Sequence, residues 1–213
     1  MITKPIEATL LATGQNLQNT ICEQPHLWLG FAERIKSKIL FREALIHSAG
    51  RYAFPEIQEA LRNCTIKNKR TVETLEAKYE MLKRNSRAVQ NLILSHYPNH
   101  LMREKTLGRA DKDSIGRASY SNDIFGWIGL NVFRHWVSQM ASQDKTHHAM
   151  DIGYQFMKTV EQGGDAYLGK GQMAQFHNYF PMSAKGEGCV ENVVSDLKEH
   201  CKTFVVVSPE LTS

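Results

Sequence analysis

The segment TVETLEAKYEMLKRNSRAVQNLILS, residues 71–95, decides the fold that the sequence predicts. Mostly apolar residues recur in this segment at steps of three and four, which is the period of an amphipathic α-helix. Pro98 ends the pattern. We favour a helix packed on its own domain over a coiled-coil dimer, because the apolar stripe is short for a coiled coil and includes a tyrosine and a serine. The stripe consists of Val72, Leu75, Tyr79, Leu82, Ser86, Val89 and Ile93.

The same period recurs on both sides of this segment. A helix should begin at Pro25, and a strongly apolar helix should span 124–140, where Gly126 and Gly129 predict the close approach of a neighbouring element. Further helices are expected at about 152–162, 172–178 and 189–200, with an optional short strand at 204–207. The sequence therefore predicts an all-α fold, an irregular helical domain of about seven or eight helices with a structured loop rich in Gly and aromatic residues.

A charged segment, REKTLGRADKDSIGRASYS at 103–121, has little apolar content and two glycines, which indicates a linker or loop. It divides the chain into an N-terminal helical subdomain at 1–102 and a C-terminal helical subdomain at 122–213. We expect the two to pack as one unit.

Composition narrows the class of protein. The 213 residues are 42% hydrophobic, enough for a core, and no run of about 18 apolar residues predicts a membrane span. The N-terminus lacks the pattern of a secretory signal, so we expect an intracellular protein, cytoplasmic or nuclear. Four cysteines without a CxxC pair favour free thiols over disulfides or a structural metal.

Positive charge concentrates between Arg62 and Arg117, where thirteen Lys or Arg face six Asp or Glu. A solvated helix face explains this, and binding of nucleic acid or another polyanion is the alternative. No aromatic-rich platform for stacking bases is interleaved with the basic residues, which disfavours a nucleic-acid interface. The residues that would contact a polyanion are Lys67, Lys69, Arg70, Lys83, Arg84 and Arg87.

The stretch GGDAYLGKGQMAQFHNYFPMS, residues 163–183, is too rich in Gly and aromatic residues for a plain helix or strand, and we expect a shaped loop. Within it, Gly164–Gly171 approaches a phosphate-binding loop, in which Lys170 would contact phosphate. The eighth position is Gly where that motif needs Ser or Thr for Mg²⁺, and residues 154–160 read as a helix where the motif needs a strand. A nucleotide or phosphate site is therefore the least favoured binding hypothesis.

No complete catalytic set emerges, so the sequence predicts a non-enzyme without cofactor or metal. His96 and His100 are separated by Pro98 and lack the Glu of an HExxH motif. His177 reads as a buried or semi-buried histidine that donates to a backbone carbonyl. A hydrolase built on Asp165 and His177 remains a weak alternative, because carboxylates near turns usually cap backbone N–H groups.

Several strings in order resemble one known family. They are WLGFAERIKSKILFREALIHSAGRY (28–52), SHYPNHL (95–101), SNDIFGWIGLNVFRHWVSQ (121–139) and GGDAYLGKGQMAQFHNYFPMSAK (163–185), followed by an EN…LKE tail. Together they resemble the region that follows the BTB/POZ domain in many filamentous-fungal proteins, over roughly 10–204. About ten residues precede this region while a BTB fold needs on the order of a hundred, so we expect the BTB domain itself to be absent.

The resemblance implies a helical region that serves protein interaction, with no agreed enzyme activity. The resulting hypothesis is a non-enzymatic interaction module for a protein partner of unknown identity, with no membrane contact and an open oligomeric state. Contact would use an exposed apolar or aromatic patch near the 163–183 segment, or the basic face of the helix at 71–95. The positions that the resemblance marks as architectural are Trp28, Phe41, His47, Trp127, Trp136, Gly164, Asp165, Tyr167, Phe176, His177, Tyr179, Phe180 and Pro181.

Overall fold

The computed structural model describes residues 3–63, 66–98, 101 and 118–206. All regular structure in these residues is helical, which confirms the all-α prediction, and there are ten α-helices where about seven or eight were expected. They are α1 (Thr3–Leu11), α2 (Gln15–Glu23), α3 (Pro25–Ile35), α4 (Lys38–Gly50), α5 (Pro55–Arg62), α6 (Lys69–Ser95), α7 (Ala118–Ser142), α8 (Tyr154–Gln162), α9 (Lys170–Tyr179) and α10 (Ala184–Val206). No described helix is long and apolar enough to cross a membrane.

The chain forms two compact units. The first comprises Met1–Arg84 with Ala149–Ile152, and the second comprises Asn85–His148 with Gly153–Ser213. Their boundary along the chain falls inside α6. The predicted linker at 103–121 lies largely outside the described residues, so the division that it implies stays a prediction.

The first unit is built around a hairpin of α3 and α4. Lys36 adopts a left-handed conformation (φ 55°) that ends α3, and Ser37 caps α4 by accepting from the backbone N–H of Leu40 at 3.3 Å. The Ser37 hydroxyl also donates to the Glu7 carboxylate at 2.5 Å, which ties α1 to this turn. The core beneath the hairpin contains Leu29, Ala32, Leu40, Ala44, Ile57 and Leu75, with Trp28 and Phe41 packed against it.

The second unit depends on the pairing of α7 with α10. Gly129 of α7 lies against α10, where an added Cβ would stand 3.0 Å from Val193 and 3.1 Å from the backbone oxygen of Val190. The close approach predicted for this glycine is therefore confirmed. Around the crossing lie the buried side chains of Leu130, Phe133, Trp136, Val137, Val193, Leu197 and Cys201.

The prediction of an optional C-terminal strand was wrong at Phe204–Val206, because these are the last residues of α10. Val207 lies outside the described residues. β-branched residues favour strands, but propensity is weak against burial. Val205 is fully buried on the same face of α10 as Cys201, and Phe204 packs against the same core. Packing therefore keeps this segment helical.

Two matched substitutions test the α7–α10 crossing. Gly129→Ala should lower the free energy of unfolding, because overpacking costs about 1–3 kcal/mol and exceeds the gain in helix propensity of about 1 kcal/mol. Gly188→Ala on α10 meets nothing within 4 Å and should instead stabilise the protein. Urea unfolding measures both, and a stabilised Gly129→Ala variant would contradict the observed crossing.

Candidate interaction site

The turn that precedes α9 is anchored by an aromatic stack. Tyr167 is 2% exposed, and its ring stacks on Trp136 of α7 with centroids 4.0 Å apart. Trp136 in turn stacks on Phe156 of α8 at 5.7 Å. Burial raises the pKa of Tyr167, so its phenol stays neutral at physiological pH. Three parts of the second unit, α7, α8 and the turn, are thus held by one set of aromatic contacts.

A buried lysine closes the same turn. Lys198 of α10 is 7% exposed, and its Nζ donates to the backbone oxygens of Gly164 and Leu168, each at 2.8 Å. The ammonium also lies 5.2 Å from the ring centroid of Tyr167. Burial lowers the pKa of Lys198, and the Asp165 carboxylate opposes that effect. Because both carbonyls converge on one cation, the turn has a single geometry.

The backbone of the turn includes a conformation that residues other than Gly rarely adopt. Gly163 has φ 60° and ψ −146°, a region that only Gly populates readily, and it ends α8. A single turn of 3-10 helix follows at Gly164–Ala166. The expected shaped loop is thus confined to this turn and the residues that flank α9, since 170–179 are helical.

The N-terminus of α9 is already occupied by side chains of the protein. The Asp165 carboxylate accepts from the backbone N–H of Lys170 at 3.4 Å, and Gln172 accepts from the N–H of Gly169 at 3.2 Å. A carboxylate at this position repels a phosphate group. Residues 154–160 lie in α8, which confirms the predicted helix where a phosphate-binding loop needs a strand. The geometry therefore disfavours a nucleotide site at Gly164–Gly171.

The two halves of α9 have different surroundings. Met173 and Phe176 pack with Val190 and Val194 of α10, and His177 is buried on α9 as well. At the other end, Tyr179 is 73% exposed, Phe180 is 62% exposed, and Pro181 is exposed as well. Tyr179, Phe180 and Pro181 together are called the aromatic end of α9 below.

Among the described residues, no other large hydrophobic side chain is as exposed as Tyr179 and Phe180. The Phe180 ring nevertheless rests on Phe176, with centroids 5.2 Å apart. The architectural role that the resemblance implied for Tyr179, Phe180 and Pro181 stays a prediction. The aromatic end of α9 presents a supported apolar surface to solvent.

His177 and Asp165 are not brought together as a catalytic pair. His177 is 9% exposed, and its Nε2 lies 3.3 Å from the Glu191 carboxylate of α10, where a backbone carbonyl was expected. Asp165 serves as the cap described above. Within the part of the chain that the structure describes, no three His, Cys, Asp or Glu side chains gather as metal ligands.

The remaining marked positions have other surroundings. Trp28 packs edge-to-face on Phe31 in the first unit. In the same unit, His47 Nε2 lies 3.3 Å from Cys22 Sγ. In the second unit, Trp127 is 43% exposed, and its ring meets Tyr97 edge-on at 5.9 Å.

The basic residues of the polyanion hypothesis lie on or just before α6, and all but the half-buried Lys83 are exposed. Acidic residues share their face. At about 100° per residue, Glu73, Glu76 and Glu80 lie within about 40° of Lys69 around the helix. Lys69 pairs with Glu73 at 3.8 Å, and Lys83 lies over the ring of Tyr79. This face carries mixed charge, as an ordinary solvated helix does.

Lys198 is the residue of this site that sequence reasoning missed. It lies four residues after Val194 and three before Cys201, so it occupies the apolar stripe of α10. A charge on an otherwise apolar stripe requires a buried partner. That signal was present in the sequence, but the accepting carbonyls, 30 and 34 residues away, were not identifiable from it.

The two hydrogen bonds that Lys198 donates to the backbone oxygens of Gly164 and Leu168 are called the Lys198 clamp. Replacing Lys198 by Met tests this clamp. The change removes two hydrogen bonds from a charged donor and leaves two carbonyls unpaired, so the free energy of unfolding should fall by about 2–3 kcal/mol. The half-buried Lys202, one turn further along α10, provides the control. Lys202→Met should change the free energy of unfolding by less than about 0.5 kcal/mol. Equal effects of the two substitutions would contradict the clamp.

The pH dependence of stability follows from three histidines. Burial lowers the pKa of His26, His47 and His96 below their ordinary value of 6.5. Below about pH 6.5 the unfolded chain then binds more protons than the folded one, so the free energy of unfolding falls as pH falls. Urea unfolding between about pH 7 and 5 should show a shallower fall for His47→Gln than for the unsubstituted protein. A steeper fall in that variant would contradict the assignment.

Comparison with known proteins identifies one family. No curated protein and no solved structure matches the chain. The model of the fungal FF domain family matches residues 98–209, slightly more than half of the chain, and this range contains the turn, α9 and α10. The expected relation to fungal BTB proteins is not confirmed by this match and stays a prediction. The chain belongs to the fungal FF domain family.

Proposed function

We propose that this protein is a non-enzymatic protein-interaction module and that it contacts its partner through the aromatic end of α9. FF domains are protein-interaction modules, which supports the first part of the proposal. The observation that carries the second part is the exposure of Tyr179 and Phe180, 73% and 62%, within the range that the family match covers.

The chemistry of the surface suits protein recognition. Aromatic side chains are enriched at protein interfaces, where a few of them supply most of the binding energy. The Phe180 ring is supported by Phe176, which itself packs on the core of the second unit. A side chain that is already held in place loses little conformational entropy on binding. The aromatic end of α9 is therefore a preorganised contact.

The surroundings of α9 keep this contact in a defined position. The Lys198 clamp and the Tyr167–Trp136 stack fix the turn before the helix. His177 and Met173 fix the inner face of α9 against α10. Of the polar groups that a catalytic reading would use, Asp165 caps α9 and His177 lies beside Glu191 of α10, which favours a binding function over an enzymatic one.

Other parts of the hypothesis stay proposals. The cysteine pattern supports an intracellular location, and the resemblance given above supports a relation to the region after the BTB domain. Polyanion binding through α6 is not favoured, because glutamates share the basic face.

Substitution of the aromatic end tests the proposal. Tyr179→Ser with Phe180→Ser should reduce capture of the protein partner from an extract of the source organism at least tenfold, about 1.4 kcal/mol, because two exposed aromatic contacts are lost. The control replaces Ile39 and Ile46 of α4, which are 50% and 42% exposed, by Ser in the same way. Quantitative mass spectrometry of captured proteins measures both. Loss in the control but not in the aromatic variant would contradict the proposed surface.

A further inference from the structure

A thiol and an imidazole meet in the first unit, outside the range that the family match covers. Cys22 lies near the end of α2 and His47 lies in the third turn of α4, and both are half-buried. Cys22 Sγ is 3.3 Å from His47 Nε2 and 3.7 Å from Nδ1. A nucleophile within hydrogen-bond reach of a base, with access to solvent, is the geometry of an activated thiol.

Burial favours a neutral imidazole at His47. It is the largest cause that lowers the pKa of His47; the charge of Glu43 opposes it, and the weaker effect of Arg51 adds to it. At neutral pH the ring therefore has a nitrogen that can accept a proton. The Arg51 guanidinium donates to the backbone oxygen of Glu23, the residue next to Cys22, at 3.4 Å. The Arg51 side chain is thus held at the residue that follows Cys22.

The helix that carries Cys22 makes the base necessary. Cys22 is the penultimate residue of α2, and the C-terminal end of a helix is its negative pole. The helix end therefore offers no positive pole to Cys22, and His47 Nε2, at 3.3 Å, is the group placed to take the thiol proton.

We propose that Cys22 and His47 form a thiol-reactive site that takes low-molecular-weight disulfides by thiol–disulfide exchange. His47 Nε2 takes the thiol proton while Cys22 Sγ attacks one sulfur of the disulfide RSSR. The S–S bond of RSSR breaks, a new bond joins Cys22 Sγ to one SR group, and the other leaves as RS⁻. That thiolate takes the proton from the imidazolium and leaves as RSH. The sulfur of Cys22 is oxidised and the departing sulfur is reduced, so the step balances without another reagent.

The other described cysteines provide internal comparisons. Cys201 is fully buried, and burial raises its pKa to about 12, so it should stay unmodified. Cys189 is half-buried like Cys22 and serves as a thiol of similar exposure. Peptide mapping by mass spectrometry distinguishes these sites from one another and from Cys64, which lies outside the described residues.

The first test measures exchange with oxidised glutathione on the full chain at about pH 7. Cys22 should be modified faster than Cys189, and His47→Asn should slow Cys22 at least tenfold because a general base contributes about 10²–10⁴-fold. The matched control is His26→Asn, which replaces another partly buried histidine of the same unit and should leave the rate unchanged. An unchanged Cys22 rate in His47→Asn, or faster reaction of Cys189, would overturn the proposal.

The pH profile gives a readout that a structural role of His47 would not move. In the unsubstituted protein the exchange rate at Cys22 should rise as His47 loses its proton below pH 6.5 and then level off. An ordinary thiol instead gains rate through its own pKa near about 8.5. If His47→Asn does not fold, as judged by circular dichroism, this profile decides alone. A Cys22 rate that rises only near pH 8.5 would refute base assistance.

Discussion

The ammonium group of Lys198 and the two carbonyls that it binds determine the geometry of the candidate interaction site. Gly164 and Leu168 contribute these oxygens from the two ends of one turn, and the turn must therefore close over α10. The Tyr167 ring then reaches Trp136, and α9 begins at a fixed point. A buried charge is costly unless it is paired, so this arrangement is sensitive to the loss of any one group.

The turn held by Lys198 determines where α9 begins and therefore where its exposed aromatic residues lie. α9 is ten residues long and its inner side chains pack on α10. Its last residue, Tyr179, and the residue that follows, Phe180, are exposed to solvent. The glycine-rich segment resembles a phosphate loop in letters, but Asp165 occupies the helix N-terminus where a phosphate would lie. The same residues that disfavour a nucleotide at this turn support the surface that we propose for a protein partner.

Periodicity was sufficient to predict most of the helical architecture. The stripe at 71–95 became α6 almost without change, and Gly129 correctly indicated a close helix crossing, because both signals are local. The strand expected at 204–207 failed at Phe204–Val206, since burial against the core outweighs the β preference of valine. Lys198 and the exposure of Tyr179 depend on contacts between distant segments. These contacts are not visible in a single sequence, so the sequence did not distinguish the buried aromatic residues from the exposed ones.

The central claim is that the aromatic end of α9 contacts a protein partner, and site-specific photocrosslinking tests it most directly. A photoreactive phenylalanine analogue at position 180 should form a covalent adduct with a partner protein in an extract of the source organism. The same analogue at position 39, which is also exposed, should form none. Adducts from position 39 together with none from position 180 would contradict the account.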